Sequence, residues 1–289
     1  MSRRLTPLEA GWRLLSGNPL TLAGAVGAAA LCVVALAAPW IAPYPVGVES
    51  LASTLGTTLE PPSLGHLFGT DWHGSDVFSK VIMGTRVTIF IGLVASLLSM
   101  VIGVLVGVAS GYFGGWIDTV LMRLTDVVLA FPSLLLTILI AASLGSGVTS
   151  IFLALTVSGW AGTGRMVRSL VLTLREQEFV LAAVAAGAGA GRIIFHHILP
   201  NCLSTLIVLF TLRIGITILS EASLSFLGLG APSSAPSWGV MVFYGMDHVR
   251  QAPWVAIWPA SAIAVTVLCF NFLGDGLRDA LDPKMRDVL

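Results

Sequence analysis

The chain has 289 residues, of which 56% are hydrophobic and only 10% are charged. Soluble domains carry about 25% charged residues, so this low charged fraction indicates an integral membrane protein. The formal net charge is zero, which leaves neither the basic field that nucleic-acid binding requires nor an acidic tail. Cys32, Cys202 and Cys269 have no disulfide or zinc-ligand spacing and are interpreted as small apolar residues.

Six uncharged or weakly charged stretches are long enough to cross a membrane, since a spanning helix needs about 20 apolar residues. In chain order they are Leu20–Ile41, Val87–Ser110, Val127–Leu144, Gly147–Gly164, Leu203–Leu229 and Trp254–Leu273. The third helix is expected to begin near Trp116, and the fourth to continue towards Leu174. These stretches predict an all-α, polytopic membrane protein with six transmembrane helices.

The first stretch has an alternative interpretation as a cleaved signal peptide, because Arg3 and Arg4 precede it and Ala35–Ala38 is rich in alanine. The apolar core of a signal peptide has only about 7–15 residues. The stretch Leu20–Ile41 has 22 uncharged residues, and five more candidate spans follow it. A first transmembrane helix is therefore favoured.

The distribution of basic residues predicts the orientation. With the N-terminus inside, the inner side carries ten of them: Arg3, Arg4, Arg13, Arg165, Arg168, Arg175, Arg192, Arg278, Lys284 and Arg286. The outer side carries three, Lys80, Arg86 and Arg250. This excess predicts that both termini are cytoplasmic. The expected organisation is an N-terminal segment (1–19), a first helix (20–41), an outer loop (42–86), a five-helix core (87–274) and a cytoplasmic tail (275–289).

The sequence lacks the common nucleotide-binding, catalytic and metal-binding motifs. Its only lysines, Lys80 and Lys284, do not stand in a phosphate-binding G-x-x-x-x-G-K-[ST] loop, so no cofactor is expected in this chain. There is also no H-E-x-x-H or G-x-S-x-G motif, which argues against an intramembrane enzyme. His196 and His197 are adjacent and point about 100° apart on a helix, so no metal site is expected there. An ion channel remains an alternative and would require a symmetric homo-oligomer.

Five charged residues fall within or beside the candidate spans: Asp118, Arg123, Asp126, Arg213 and Glu221. Arg123 and Asp126 are i,i+3 neighbours and are expected to pair. Arg213 and Glu221 are eight residues apart, about 12 Å along a helix, which is too far for a direct pair. A charge at mid-membrane costs about 2.5–3.5 kcal/mol, so each is expected to face protein or water rather than lipid.

The inner stretch of residues 175–200 predicts a short exposed helix. Glu178–Ala186 is rich in alanine, and Gly187 can end the helix in the left-handed conformation. Arg192–Leu199 is expected to form a second short helix that Pro200 stops. A helix with small side chains on the cytoplasmic side suits insertion into the cleft of a partner, because small residues allow close backbone approach.

This stretch resembles the EAA motif of ABC importer permeases, in Leu181-Ala182-Ala183, then Gly187, then Leu199-Pro200. In that family the segment is the coupling helix, which docks into a groove of the ATPase subunit. Leu181 stands where the motif has Glu. The resemblance assigns ATPase coupling to Leu181, Ala182, Ala183, Gly187, Ala188, Arg192, Leu199 and Pro200.

Four further stretches are similar to the dipeptide/oligopeptide/nickel permease family. They are Phe68–Asp71 with Gly74 and Asp76, Gly111–Gly115, Glu221–Gly230 with Ser237–Gly239, and Gly274–Pro283. Ser75 stands where the family usually has Arg. The outer-loop residues Asp71, Gly74 and Asp76 are expected to help dock a binding protein. The alternative, that these carboxylates only cap local turns, stays open.

The resemblance implies the transmembrane domain of a type I ABC importer in the bacterial inner membrane. It implies a homologous second permease subunit, two ATPase subunits that hold ATP and Mg, and an extracytoplasmic substrate-binding protein. The cargo that it favours is a dipeptide or oligopeptide, and the alternative is nickel or a nickel complex.

Overall fold

A computed structural model describes residues 18–46, 58–230 and 237–281. Their helices are α1 (Pro19–Ile41), α2 (Val77–Phe113), α3 (Gly115–Ala130), α4 (Ser133–Leu144), α5 (Val148–Arg175), α6 (Glu178–Ala185), α7 (Ala190–Leu229), α8 (Trp238–Met246) and α9 (Trp254–Leu281). Within this part of the chain the only β pairing is an isolated bridge between Thr70 and Asp76. The predicted all-α class is confirmed. Most of the expected N-terminal segment and the last eight residues lie outside the described ranges.

Four helices, α1, α2, α7 and α9, are long and apolar enough to cross a membrane. The pair α3–α4 makes a fifth candidate if it counts as one broken span. The predicted fourth span lies in α5, which does not reach the same hydropathy in the described chain. Its middle carries Thr163, Arg165 and Arg168 among apolar residues. The count of six spans therefore stays a prediction.

The predicted third helix, from near Trp116 to Leu144, is not continuous, because the chain bends by 90° between α3 and α4. Phe131 adopts an extended conformation, with φ −91° and ψ 141°. The reason is Pro132, whose ring disfavours helical backbone at the residue before it. The predicted start near Trp116 is close to the observed first residue of α3, Gly115.

The prediction that Pro200 stops a short helix is also wrong, since α7 passes through it as a helix of 40 residues. The stretch Ile194–Ile198 just before Pro200 is π-helical, and the Leu199 N–H bonds to the Ile194 carbonyl. This wider turn relaxes the clash that a proline ring makes with the carbonyl four residues earlier. Asn201 Nδ2 donates to the His197 carbonyl at 2.6 Å. Local hydrogen bonding thus accommodates the proline.

Helix α2 is the centre of the bundle and packs along α5, with α1, α3 and α7 around it. Small residues permit the close crossing: a Cβ on Gly107 would lie 2.6 Å from the Gly164 carbonyl oxygen. Helix α9 packs against α7 and α1. Following the predicted orientation, we call the end of the bundle that carries α6 the inner end and the opposite end the outer end.

Candidate functional site

Helix α6 lies on the inner end and presents apolar side chains to the surface. Only Val180 of its eight residues is buried. Phe179, Leu181 and Val184 are exposed to between 42% and 54%. An exposed apolar helix face of this kind is the usual mark of an interaction surface.

A glycine ends α6 as the sequence predicts. Gly187 has φ +79°, in the left-handed region that side chains with a Cβ avoid. Its N–H donates to the Val184 carbonyl at 2.9 Å, and the Ala188 N–H donates to the Ala183 carbonyl at 3.0 Å. Together these two bonds form a Schellman cap. The predicted helix and its left-handed end at Gly187 are confirmed.

The base of α6 is fixed by a hydrophobic cluster between three long helices. The buried Val180 packs with apolar side chains of α2, α5 and α7: Val108, Val167, Val171, Ile193, Ile194, Ile198, Cys202 and Leu206. Only Glu176 and Gln177 separate α5 from α6, and four residues separate α6 from α7. Because both connections are short and the base is buried, the position of α6 is constrained by α5 and α7.

The other residues of the predicted coupling set lie within α6, in the connection after it, or on the first part of α7. Ala182 is exposed and Ala183 is half-buried, both within α6. Ala188 and Leu199 are half-buried and pack against the cluster. Arg192 and Pro200 are exposed on α7. Their role in coupling stays a prediction.

The two acidic residues of α3 pair with arginines of α5. Arg168 donates from Nε and Nη2 to the two carboxylate oxygens of Asp118, both at 2.6 Å. Arg165 Nη2 lies 2.5 Å from Asp126 Oδ1. The expected i,i+3 pair is also present but is long and exposed, with Arg123 Nη1 4.0 Å from Asp126 Oδ2. Sequence reasoning missed the partners on α5; a usable signal was the i,i+3 spacing of Arg165 and Arg168, which puts them on one face of α5.

Arg213 and Glu221 do not pair with each other in the described chain, as their spacing predicts. The guanidinium of Arg213 lies against Gly159 of α5, where a Cβ would be 3.0 Å from Cζ. Glu221 is only 1% exposed, and its Oε1 accepts a bond of 2.8 Å from Ser225. Glu221 therefore faces protein, as expected of a charge within a span.

In the outer loop, Asp71 and Asp76 act as local caps. Asp71 is 1% exposed, pairs with Lys80, and accepts from the N–H groups of His73 and Ser75 at 2.9 and 3.0 Å. Asp76 is the N-cap of α2 and accepts from the Ser79 N–H at 2.8 Å. Its other oxygen lies 3.0 Å from His66 Nδ1. These bonds have the geometry of the capping alternative, and a docking role for the two carboxylates stays a prediction.

Gly74, the third residue of the expected docking set, makes a tight turn. Its φ is +75°, and its N–H donates to the Asp71 carbonyl at 3.0 Å. Further along, the Trp254 indole N–H donates to the Thr70 carbonyl at 3.2 Å. The loop from residue 58 to 76 is thereby closed onto the start of α9. In the described ranges no group of three or more His, Cys, Asp or Glu residues is placed to hold a metal ion.

Comparison with known families agrees with this architecture. Residues 103–287 match the family described as the binding-protein-dependent transport system inner membrane component. Residues 6–62 match the N-terminal TM domain of oligopeptide transport permease C. With the apolar helices, these matches describe a multi-pass inner-membrane protein.

Individual relatives cover almost the whole chain. A dipeptide transport system permease protein, DppC, of Alkalihalophilus pseudofirmus is 41% identical over 98% of this chain and 91% of its own length. The oligopeptide transport system permease protein OppC of Bacillus subtilis is 41% identical over 93% and 87%. The glutathione transport system permease protein GsiD of Escherichia coli O157:H7 is 42% identical over 97% and 92%. The chain therefore belongs to the family of binding-protein-dependent transport system inner membrane components.

Proposed function

We propose that this chain is one permease subunit of an ATP-driven importer that carries dipeptides or oligopeptides into the bacterial cytoplasm. The observation that carries the proposal is the geometry of α6. Its exposed apolar face projects from the inner end, while Val180 fixes its base in the hydrophobic cluster. When a bound partner displaces a helix arranged in this way, the displacement is transmitted to the long helices.

The energy for transport comes from partner subunits. The sequence has no phosphate-binding loop, so ATP and Mg belong to two ATPase subunits that bind α6. ATP-driven closure of the ATPase pair moves α6 and rocks the bundle as a rigid body, exposing the path alternately to each side. This chain therefore carries out no ATP chemistry of its own.

Peptides are the cargo class with the most support. The relatives described above are named for dipeptide, oligopeptide and glutathione transport, and glutathione is itself a small peptide. Nickel, the alternative cargo, has less support from these names. We assign most of the selectivity to the binding protein, because the spans offer few placed polar groups of the kind that define a specific pocket.

The remaining partners follow from the same architecture. A homologous second permease completes the path through the bilayer, and an extracytoplasmic binding protein meets the outer end. The excess of basic residues on the inner side supports cytoplasmic termini. On this basis the stretch 58–76 of the outer loop faces the binding protein.

Reconstitution tests the proposal. The complex of both permeases and two ATPases is placed in proteoliposomes with ATP inside, and labelled dipeptide and binding protein are added outside. Uptake that requires both ATP and binding protein is the expected result. The isolated chain should show no ATP turnover. Uptake of nickel without uptake of peptide would contradict the proposed cargo. ATP hydrolysis by the isolated chain would contradict the proposed role of the ATPase subunits.

A further inference from the structure

Helix α3 makes few packing contacts for a helix inside a membrane bundle. Thr125 is its only buried residue. Its apolar side chains are largely exposed, among them Trp116, Val120, Leu124 and Val127. Hydrophobic packing therefore does little to fix the position of α3 within this chain.

The covalent connection to α2 is also a weak constraint. Gly114 and Gly115 join the two helices with φ values of +66° and +55°. Two successive glycines in the left-handed region make a turn that has little torsional resistance, because no Cβ restricts either residue. Without other contacts, α3 would be free to swing about this turn.

Two ion pairs to α5 supply the missing constraint; the pair of Arg165 with Asp126 is about half exposed, and the pair of Arg168 with Asp118 is more shielded. Arg168 of α5 binds Asp118 through two parallel bonds of 2.6 Å, and Ser110 of α2 donates to the same carboxylate. A bidentate arginine–carboxylate pair fixes orientation as well as distance. Both side chains are mostly shielded from solvent, at 31% and 21% exposure. Three helices thus meet at one carboxylate.

The position of Arg168 on α5 links this junction to the candidate coupling helix. Arg168 lies seven positions, about 10.5 Å of helix, before the end of α5 at Arg175, and α6 begins after two intervening residues. Nearer to α6, Arg175 Nη1 donates to the Tyr112 carbonyl at the end of α2, at 3.0 Å. A displacement of α6 is passed along α5 to Asp118 and hence to α3, which leads through the Pro132 bend into α4.

We propose that Asp118 and Arg168 are positioning residues that couple the movement of α6 to the bent pair α3–α4. This inference rests on the proposed function, in which ATPase subunits move α6. The ion pair makes α3 follow α5 as one body. When it is lost, α6 still moves with each ATP cycle, but α3 and α4 lag behind and fewer cycles end in transport.

The test measures peptide taken up per ATP hydrolysed in the reconstituted complex with its binding protein. Asp118→Asn should lower this ratio about fivefold or more, the lower end of typical coupling factors. Arg168→Lys keeps the charge but loses the bidentate geometry, so an intermediate ratio is expected. The exchanged pair, Asp118→Arg with Arg168→Asp, should recover much of the ratio.

Arg123→Gln is the matched control, because Arg123 lies on the same helix but is 81% exposed and makes only a long contact of 4.0 Å, to Asp126 of its own helix. Its ratio should equal that of the unmodified complex. The thermal stability of each purified complex shows whether a lower ratio reflects lost coupling or impaired folding. If Asp118→Asn does not assemble, the ratio measured for Arg168→Lys tests the inference. An unchanged ratio in the variants that assemble overturns the inference. Failure of the unmodified complex to transport peptide counts against the proposed function instead.

Discussion

The ring of Phe68 stacks on the ring of Trp258, with centroids 3.9 Å apart and planes that differ by 6°. This contact ties the outer loop to α9, close to the bond between Trp254 and the Thr70 carbonyl. Aromatic pairs add about 0.5–1.5 kcal/mol beyond the area that they bury. The loop is therefore a packed part of the bundle's outer end.

Phe68→Ala should loosen the outer loop while the helices stay folded. We expect faster cleavage within residues 58–76 by a protease added to the outer side, because stacking and apolar burial are both lost. Phe68→Tyr keeps the ring and serves as the control. Equal cleavage rates in all three proteins would show that the stack does not hold the loop.

Substitution of the loop carboxylates separates capping from docking. Asp76→Ala removes the N-cap of α2 and should destabilise the protein by about 0.5–2 kcal/mol, whereas Asp76→Asn retains a capping side chain and should cost less. Thermal unfolding in detergent measures both. If the two carboxylates instead serve mainly to bind the binding protein, Asp71→Asn and Asp76→Asn should weaken that binding with no change in unfolding temperature.

A charge on the exposed face of α6 should disrupt coupling. Val184→Asp places a carboxylate where an apolar contact with the ATPase is proposed, and charge burial without a partner is costly. We expect ATP hydrolysis to lose its stimulation by peptide-loaded binding protein, while membrane insertion is unaffected. Val184→Leu is the apolar control. Normal uptake by Val184→Asp is incompatible with docking through this face.

The end of α6 depends on the backbone of Gly187. Gly187→Ala should destabilise the cap by about 1–2 kcal/mol, since the left-handed conformation brings a Cβ too close to the backbone. Gly187→Asn should cost less, because asparagine tolerates this conformation better. Apart from the adjoining residues of the chain, no atom lies within 4 Å of the added Cβ, so the cost comes from the local backbone alone. Equal unfolding temperatures and equal uptake for both variants would contradict this explanation.

Topology is open to a direct measurement. Reporter domains fused after Leu289 and inserted near Gly65 should read as cytoplasmic and external, respectively, because basic residues concentrate on the opposite side from the outer loop. Gly65 is an exposed loop residue, so an insertion there disturbs little packing. A C-terminal reporter that reads as external would reverse the orientation and place α6 on the wrong side for ATPase subunits.

Features that depend on neighbouring residues could be predicted from the amino-acid sequence. Low charge and long apolar stretches were enough to predict a helical membrane protein. The helix Glu178–Ala185 and its left-handed end at Gly187 also followed, because helix propensity and glycine caps act within a few positions. The caps at Asp71 and Asp76 were recognised as an alternative to docking for the same reason.

Features that join distant segments became visible only in the folded chain. Asp118 and Arg168 are 50 positions apart, and the local spacing predicted a pair only for Asp126, with Arg123. Proline has opposite effects at two positions: α7 continues through Pro200, whereas the helix is interrupted and the chain bends sharply at Pro132. The difference arises because a π-helical turn accommodates Pro200, whereas Phe131 before Pro132 is extended. Whether a proline interrupts a helix depends on the hydrogen bonds and packing around it, which a local pattern does not contain.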